Sequence, residues 1–233
     1  MRKHTVNPDP RAFRTSGVGA AGTVPRGPRR WPALILLFCF VALMWVVEAG
    51  DWLLRSAVGP PGLDDDGVRP LSSDGLPGIL FQPFLHGDWA HLIGNSVALL
   101  VLGSIIALSG LSPLIRVTLV SWVLSGAVSW LLGGVGTVHI GASGIVFGYI
   151  FYVIVRGLFS RRFLHLAIGL IIGFYYGLEA LAGLSPMLDG VSWQGHLGGA
   201  VGGVLSAYGL RRNRGKTTAV NAGQPRRGAG FPR

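Results

Sequence analysis

The sequence predicts an all-α polytopic membrane protein, a bundle of six transmembrane helices with both termini in the cytoplasm. Three observations carry this. Half of the 233 residues are hydrophobic. Only 13% are charged, roughly half the ~25% of an average soluble domain. The charges also sit at the chain ends and in short clusters, leaving long uncharged runs between them.

Residues 1–30 are rich in Arg, Pro and Gly, show no periodic apolar face, and read as a disordered basic cytoplasmic tail. A first span runs from about Trp31 to Val47. A cleaved signal peptide is the competing reading. The tail is long for an n-region, however, and no small-residue cleavage site precedes Glu48. Residues 48–88 carry Asp64-Asp65-Asp66, several prolines and the apolar Ile79-Leu80-Phe81, and form a long extracytoplasmic loop. Further spans follow at about 90–109, 114–132, 143–158, 163–182 and 194–210. Each is near the ~20 residues that cross a bilayer. The membrane domain is therefore 31–210, and residues 211–233, opening on Arg211-Arg212-Asn213-Arg214, are a second basic cytoplasmic tail.

The net charge of +10 is explained by topology rather than by nucleic-acid binding. With both tails inside, Arg26, Arg29, Arg30, Arg116, Arg156, Arg161, Arg162 and the C-terminal cluster are cytoplasmic. Only Arg55 and Arg69 fall outside, and among acidic residues Asp9 alone is inside. This is the asymmetry of the positive-inside rule. The single cysteine, Cys39, lies in the first span, which excludes an intramolecular disulfide and a cysteine metal cluster.

Ionisable and polar groups within spans are functional candidates by default. Ser143 sits in Gly141-Ala142-Ser143-Gly144, His196 in Gly195-His196-Leu197-Gly198-Gly199, and His86, His91 and Asn95 lie at or in the second span. Their depths agree. Ser143 to Arg156 is 13 residues, His196 to Arg211 is 15, and Asn95 to Ser109 is 14. At 1.5 Å per residue these are all about 20–22 Å from the cytoplasmic boundary. The fourth span is then too short to reach the outer surface, and residues 133–140 must descend to meet Ser143. Irregular backbone at that depth must be buried in protein or line a water-filled cavity.

Serine becomes a nucleophile when a base takes its proton. His196 can be that base if its span packs on the Ser143 span. Gly144 and Gly148 on one span, with Gly195, Gly199 and Gly203 on the other, have the four-residue spacing that permits close approach. No acidic residue is placed to orient His196, so a Ser–His dyad is expected, with Phe147 stacking on the imidazole. The Ser143 N–H, His91 and Asn95 are candidate oxyanion donors, the last two sharing a helix face. Each residue taken singly has a structural reading: Ser143 as packing, His196 as a satisfied interhelical histidine, Asn95 as a helix–helix hydrogen bond. His86 and His91 also have the spacing of a metal pair, but no carboxylate or cysteine joins them at depth, so neither metal nor cofactor is expected. His139 and His165 lie near span ends and receive no role. Glu179 faces the cavity or sits at its rim. The joint pattern argues for hydrolysis.

With these residues in view, the sequence resembles the rhomboid intramembrane serine proteases. The matching stretches are His86-Gly87-Asp88-Trp89-Ala90-His91-Leu92-Ile93-Gly94-Asn95, Gly141-Ala142-Ser143-Gly144, and Gly195-His196-Leu197-Gly198-Gly199 with Gly203, in family order. The resemblance implies Ser143 as nucleophile, His196 as general base, and His91 with Asn95 in the oxyanion hole. His86, Gly141, Gly144, Phe147 and Gly199 would support them. It implies a transmembrane-helix substrate cut near its outer end, a fifth span acting as lateral gate, and residues 183–193 as a cap. The expected location is a bacterial plasma membrane, with the cavity open to the extracytoplasmic side. Two departures stand out: Pro77-Gly78-Ile79-Leu80 replaces the family's Trp-Arg pair, and Phe147 stands where many members have tyrosine. Two rival readings are an inactive relative that binds membrane clients, and a small transporter. The first typically lacks the serine or the histidine. The second predicts internal repeats, and the sequence has none.

Overall fold

The computed structural model describes residues 29–60, 62–159, 163–188 and 190–222, with the side chains of 179 and 210–222 left out. Residues 1–28 of the expected tail 1–30, residues 223–233 of the expected tail 211–233, Arg161, Arg162 and the Glu179 side chain lie outside the described residues. Among the described residues seven α-helices follow in order: α1 Arg30–Val58, a short α2 Gly78–Phe81, α3 Trp89–Ala107, α4 Leu111–Leu132, α5 Ser143–Phe159, α6 Phe163–Gly183 and α7 Trp193–Ala222. The described residues contain no β-strand, only an isolated bridge pairing Val68 with His139.

Among the described residues, α1, α3 and α4 are long and apolar enough to cross a membrane, while α5 and the stretch Phe163–Leu178 are apolar but shorter. Large apolar side chains face outward on every long helix, among them Phe38, Val97, Leu119, Phe174 and Leu205. A water-soluble monomer rarely exposes contiguous apolar area on this scale.

Two helices outrun their expected ends. α1 continues past Val47 to Val58 because residues 48–58 hold no proline and Asp51 pairs with Arg55 one turn on. Gly59, at φ +87°, then ends it with its N–H on the Arg55 carbonyl. α7 continues past residue 210 to Ala222.

The centre of the bundle is α5, packed against α4, α6 and α7, with α4 and α7 also in close contact. The close approach comes from small residues. A Cβ at Gly199 would collide with the Gly144 carbonyl, and one at Gly203 with that of Gly148. On the α4 side, Ser121 and Ser125 occupy the space above Gly148 and Gly144, and a Cβ at Gly202 would stand 2.6 Å from the Ser121 Cα. Lower on α5, Tyr149 is buried, and its hydroxyl meets Thr118 Oγ1 of α4 at 2.6 Å.

The segment between α1 and α3 is tied to the C-terminal half of α4. Trp122 Nε1 donates to Ile79 O (2.7 Å) and Trp130 Nε1 to Ser72 O (2.8 Å). Phe40, Phe84 and Trp122 form a three-ring contact with centroids 5.2–5.9 Å apart, joining α1, this segment and α4. Between α1 and the Asp64–Asp66 turn, Arg55 meets three carboxylates: Asp51, Asp64 at 3.1 Å and Glu48 at 3.8 Å.

Candidate active site

The chain enters α5 through a turn that only glycine permits. Gly141 has φ +101°, a region L side chains rarely adopt. A Cβ there would also stand 2.6 Å from Cε1 and Nε2 of His91. The Gly141 N–H donates to Gln82 O at 2.7 Å, anchoring the turn to the preceding loop. Ser143 is thereby delivered as the first residue of α5. Its own N–H, at a helix start, has no intrahelical acceptor.

His196 is one turn into α7, directly across the Gly144–Gly199 contact. Its Nε2 lies 2.8 Å from Ser143 Oγ and its Nδ1 2.8 Å from the carbonyl oxygen of Gly183. A carbonyl can only accept, so Nδ1 carries the imidazole proton. Nε2 is then a bare acceptor, and Ser143 donates to it. This is the polarity a general base requires. The Phe147 ring stacks on the imidazole, 3.9 Å between centroids and 8° from parallel. Gly183 leaves room for this sandwich, since a Cβ there would meet Phe147 Cζ at 2.5 Å. The expected serine–histidine contact and the expected stacking are thus both present in the geometry.

α3 brings the other predicted residues to the same place. Asp88 caps α3, accepting from the His91 N–H at 2.8 Å, which fixes the first turn. The His91 ring edge lies against Gly141. Asn95 is buried, and its Nδ2 has no protein acceptor among the described residues, leaving it an open donor. His86 is fully buried, its ring centroid 5.0 Å from that of His91. Burial, with the neighbouring His91 ring adding to it, pulls His86 down to about 4, so it is neutral and packs as an uncharged ring.

Ser143, His196, Asn95 and Phe147 open onto one cavity of about 500 Å³, walled by Val146, Ile150, Tyr176 and Ala180. Ser143 and His196 share it with mostly apolar walls. Such a site can transfer an acyl group from an extended apolar chain to serine and then to water. No group of three His, Cys, Asp or Glu side chains suited to a metal ion occurs among the described residues.

The Rhomboid domain profile matches residues 75–213, more than half of the chain and all of this site. The chain belongs to the rhomboid family. Rhomboid proteins are intramembrane serine proteases as a family, and the apolar helices described above fit membrane embedding. Its relatives include uncharacterized proteins of Mycobacterium tuberculosis and Mycobacterium bovis, each 44% identical over 200 residues, covering 82% of this chain and 81% of theirs. An uncharacterized Mycobacterium leprae protein is 44% identical over 194 residues, covering 80% of this chain and 74% of its own.

Two contributors were missed by the sequence reading. Gly183 orients His196 through its carbonyl, and Gln82 anchors Gly141 through its own. Both act through backbone oxygen, which every residue possesses, so no residue type flags them. The absence of an acidic partner for His196 was the one available hint that a main-chain group would serve.

Proposed function

We propose that this rhomboid is a proteolytically active serine endopeptidase that cleaves membrane-protein substrates in or near their transmembrane helices. The observation that carries this reading is the Ser143–His196 contact of 2.8 Å, with the imidazole proton held away from serine on Gly183. In the acylation step Ser143 Oγ attacks the scissile carbonyl while Nε2 of His196 takes the hydroxyl proton. The developing oxyanion is met by the Ser143 N–H, Asn95 Nδ2 and the His91 ring, donors held in place before the charge appears. Collapse of the tetrahedral intermediate breaks the C–N bond, and the proton on Nε2 passes to the leaving amine. Water then gives a proton to Nε2 and attacks the ester; as the bond to Ser143 Oγ breaks, that proton passes to Oγ, releasing the carboxyl product and restoring both residues.

The topology that fits this chemistry is the six-span bundle with both termini cytoplasmic and the cavity open to the extracytoplasmic side, in a bacterial plasma membrane. The arginine asymmetry supports that orientation. Water then reaches the dyad from outside while the substrate helix arrives from the bilayer.

The test is labelling with a fluorophosphonate, which reacts with activated serines whatever their substrate. Purified wild type in mild detergent is expected to label, while Ser143→Ala and His196→Ala are not. Cleavage of a helical reporter in liposomes should follow the same pattern. Equal labelling and cleavage by wild type and Ser143→Ala would refute the assignment.

A further inference from the structure

Four residues before each member of the Ser143–His196 pair stands a member of a second serine–histidine pair. His139 precedes Ser143 and Ser192 precedes His196, and His139 Nδ1 lies 2.7 Å from Ser192 Oγ. The direction of this bond follows from its neighbours. Thr137 Oγ1 donates to Gly134 O at 2.6 Å, so it can only accept from His139 Nε2, 3.0 Å away. The proton of His139 is therefore on Nε2. Nδ1 is an acceptor, and Ser192 donates to it. The Ser192 oxygen in turn accepts from the Gly195 N–H at 3.4 Å, in the first turn of α7, with Ser129 Oγ of α4 also at 3.4 Å.

The main chain of His139 is held as firmly as its ring. It exchanges two hydrogen bonds of 2.9 Å with the buried Val68. Through its ring and main chain, buried His139 thus ties three parts together: the loop after α1, the segment that delivers Ser143, and the helix start that delivers His196. Neither His139 nor Ser192 lines the 500 Å³ cavity.

We propose that His139 and Ser192 are a positioning pair whose hydrogen bond sets the separation of Ser143 from His196. The proposal rests on the assignment of those two residues made above. A displacement of about 1 Å at a reacting pair costs as much as 10²-fold in rate, so a bond that locks both segments one turn upstream acts on catalysis without touching substrate.

The experiment uses the full chain in detergent and in liposomes. His139→Phe and Ser192→Ala are each expected to slow fluorophosphonate labelling of Ser143, and to lower kcat per labelled site, by roughly 10–100-fold with KM little changed. The double variant should be no slower than the worse single one, because both remove the same bond. His139→Asn keeps an acceptor near the former Nδ1 position, Ser192→Thr keeps the hydroxyl, and each should recover most of the rate. Nitrogen-15 spectra should assign to His139 an Nε2–H tautomer whose Nδ1 signal shifts in Ser192→Ala.

Wild-type labelling by His139→Phe, multiplicative losses in the double variant, or an Nδ1–H tautomer would each overturn the pairing. So would labelling of Ser192 in the Ser143→Ala protein, which would make it a second nucleophile. If wild type itself does not label, the dyad assignment fails and the positioning role falls with it. The nitrogen-15 spectrum separates the two failures, since it reads the bond without the chemistry.

Discussion

Gly199→Ala adds one carbon where the structure has room for none. The new Cβ would collide with the Gly144 carbonyl and stand 3.0 Å from its Cα. Carbon atoms in favourable contact are about 3.5–4.0 Å apart, so the Cα distance alone requires α7 to retreat from α5 by roughly 0.5–1 Å. Both obstacles are backbone, so no side chain can swing away. Overpacking of this kind typically costs about 1–3 kcal/mol. The retreat also acts on chemistry, because His196 is three residues away on the same helix and reaches Ser143 across 2.8 Å. Lengthened by the same amount, that contact leaves hydrogen-bonding range. The expected result is a folded protein with a lowered thermal midpoint and fluorophosphonate labelling reduced on the order of 10²-fold. Thermal unfolding and labelling kinetics, measured on the same detergent preparation, check both halves. Wild-type values for the two together would show that the helices are not in contact at Gly199, and the account of the site's assembly would fall.

Other perturbations probe other parts of the site. Asn95→Ala should lower kcat about 10²–10³-fold, the usual loss for one oxyanion donor, while leaving labelling still dependent on Ser143. Gly141→Ala places a Cβ at φ +101° and 2.6 Å from the His91 ring, and should abolish cleavage at a temperature where the protein remains folded by circular dichroism. A pH effect is expected at the loop after α1. Burial, only partly offset by Arg55 and reinforced by Asp51, raises Asp64 from 3.8 to about 6. The folded state then holds a proton that the unfolded chain has released. That contribution to stability is complete below the unfolded value of 3.8 and is lost as pH rises through about 6. Asp64→Asn should flatten the fall of the thermal midpoint between pH 4 and 6. An unchanged slope would show that the carboxylate titrates normally.

Much of the site was legible because membrane depth filters residue types. A serine, a histidine and an asparagine inside apolar runs are costly enough to invite explanation. Their spacing from Arg156, Arg211 and Ser109 at the span ends put them at one expected depth. The start of α5 at Ser143 was expected from the same depth reasoning, which required residues 133–140 to descend into the membrane to meet it. The loop after α1 was less legible. Its order comes from Trp122 and Trp130 donating to backbone oxygens some 40–60 residues away in the chain, and such contacts leave no periodic trace. His139, which received no role, and Ser192 were passed over for another reason. Their shared four-residue offset becomes meaningful only after Ser143 and His196 are known to touch.

The acceptor that orients His196 has a consequence for how the site would tolerate change. A carboxylate in that role can be deleted by one substitution, whereas the Gly183 carbonyl can only be displaced, as by a Cβ that would stand 2.5 Å from Phe147 Cζ and 3.1 Å from His196 Nδ1. Its weakness is mechanical instead. Gly183 is the last residue of α6, so the proton on Nδ1 is held only while that helix end stays docked. An outward tilt of α6 would release the imidazole to rotate or change tautomer, and Ser143 would lose its base. If substrate enters past α6, as the family resemblance implies, admission and readiness to react would exclude each other. On the proposed dyad the same hydrogen bond would act as an interlock, arming the serine only with the helix end docked.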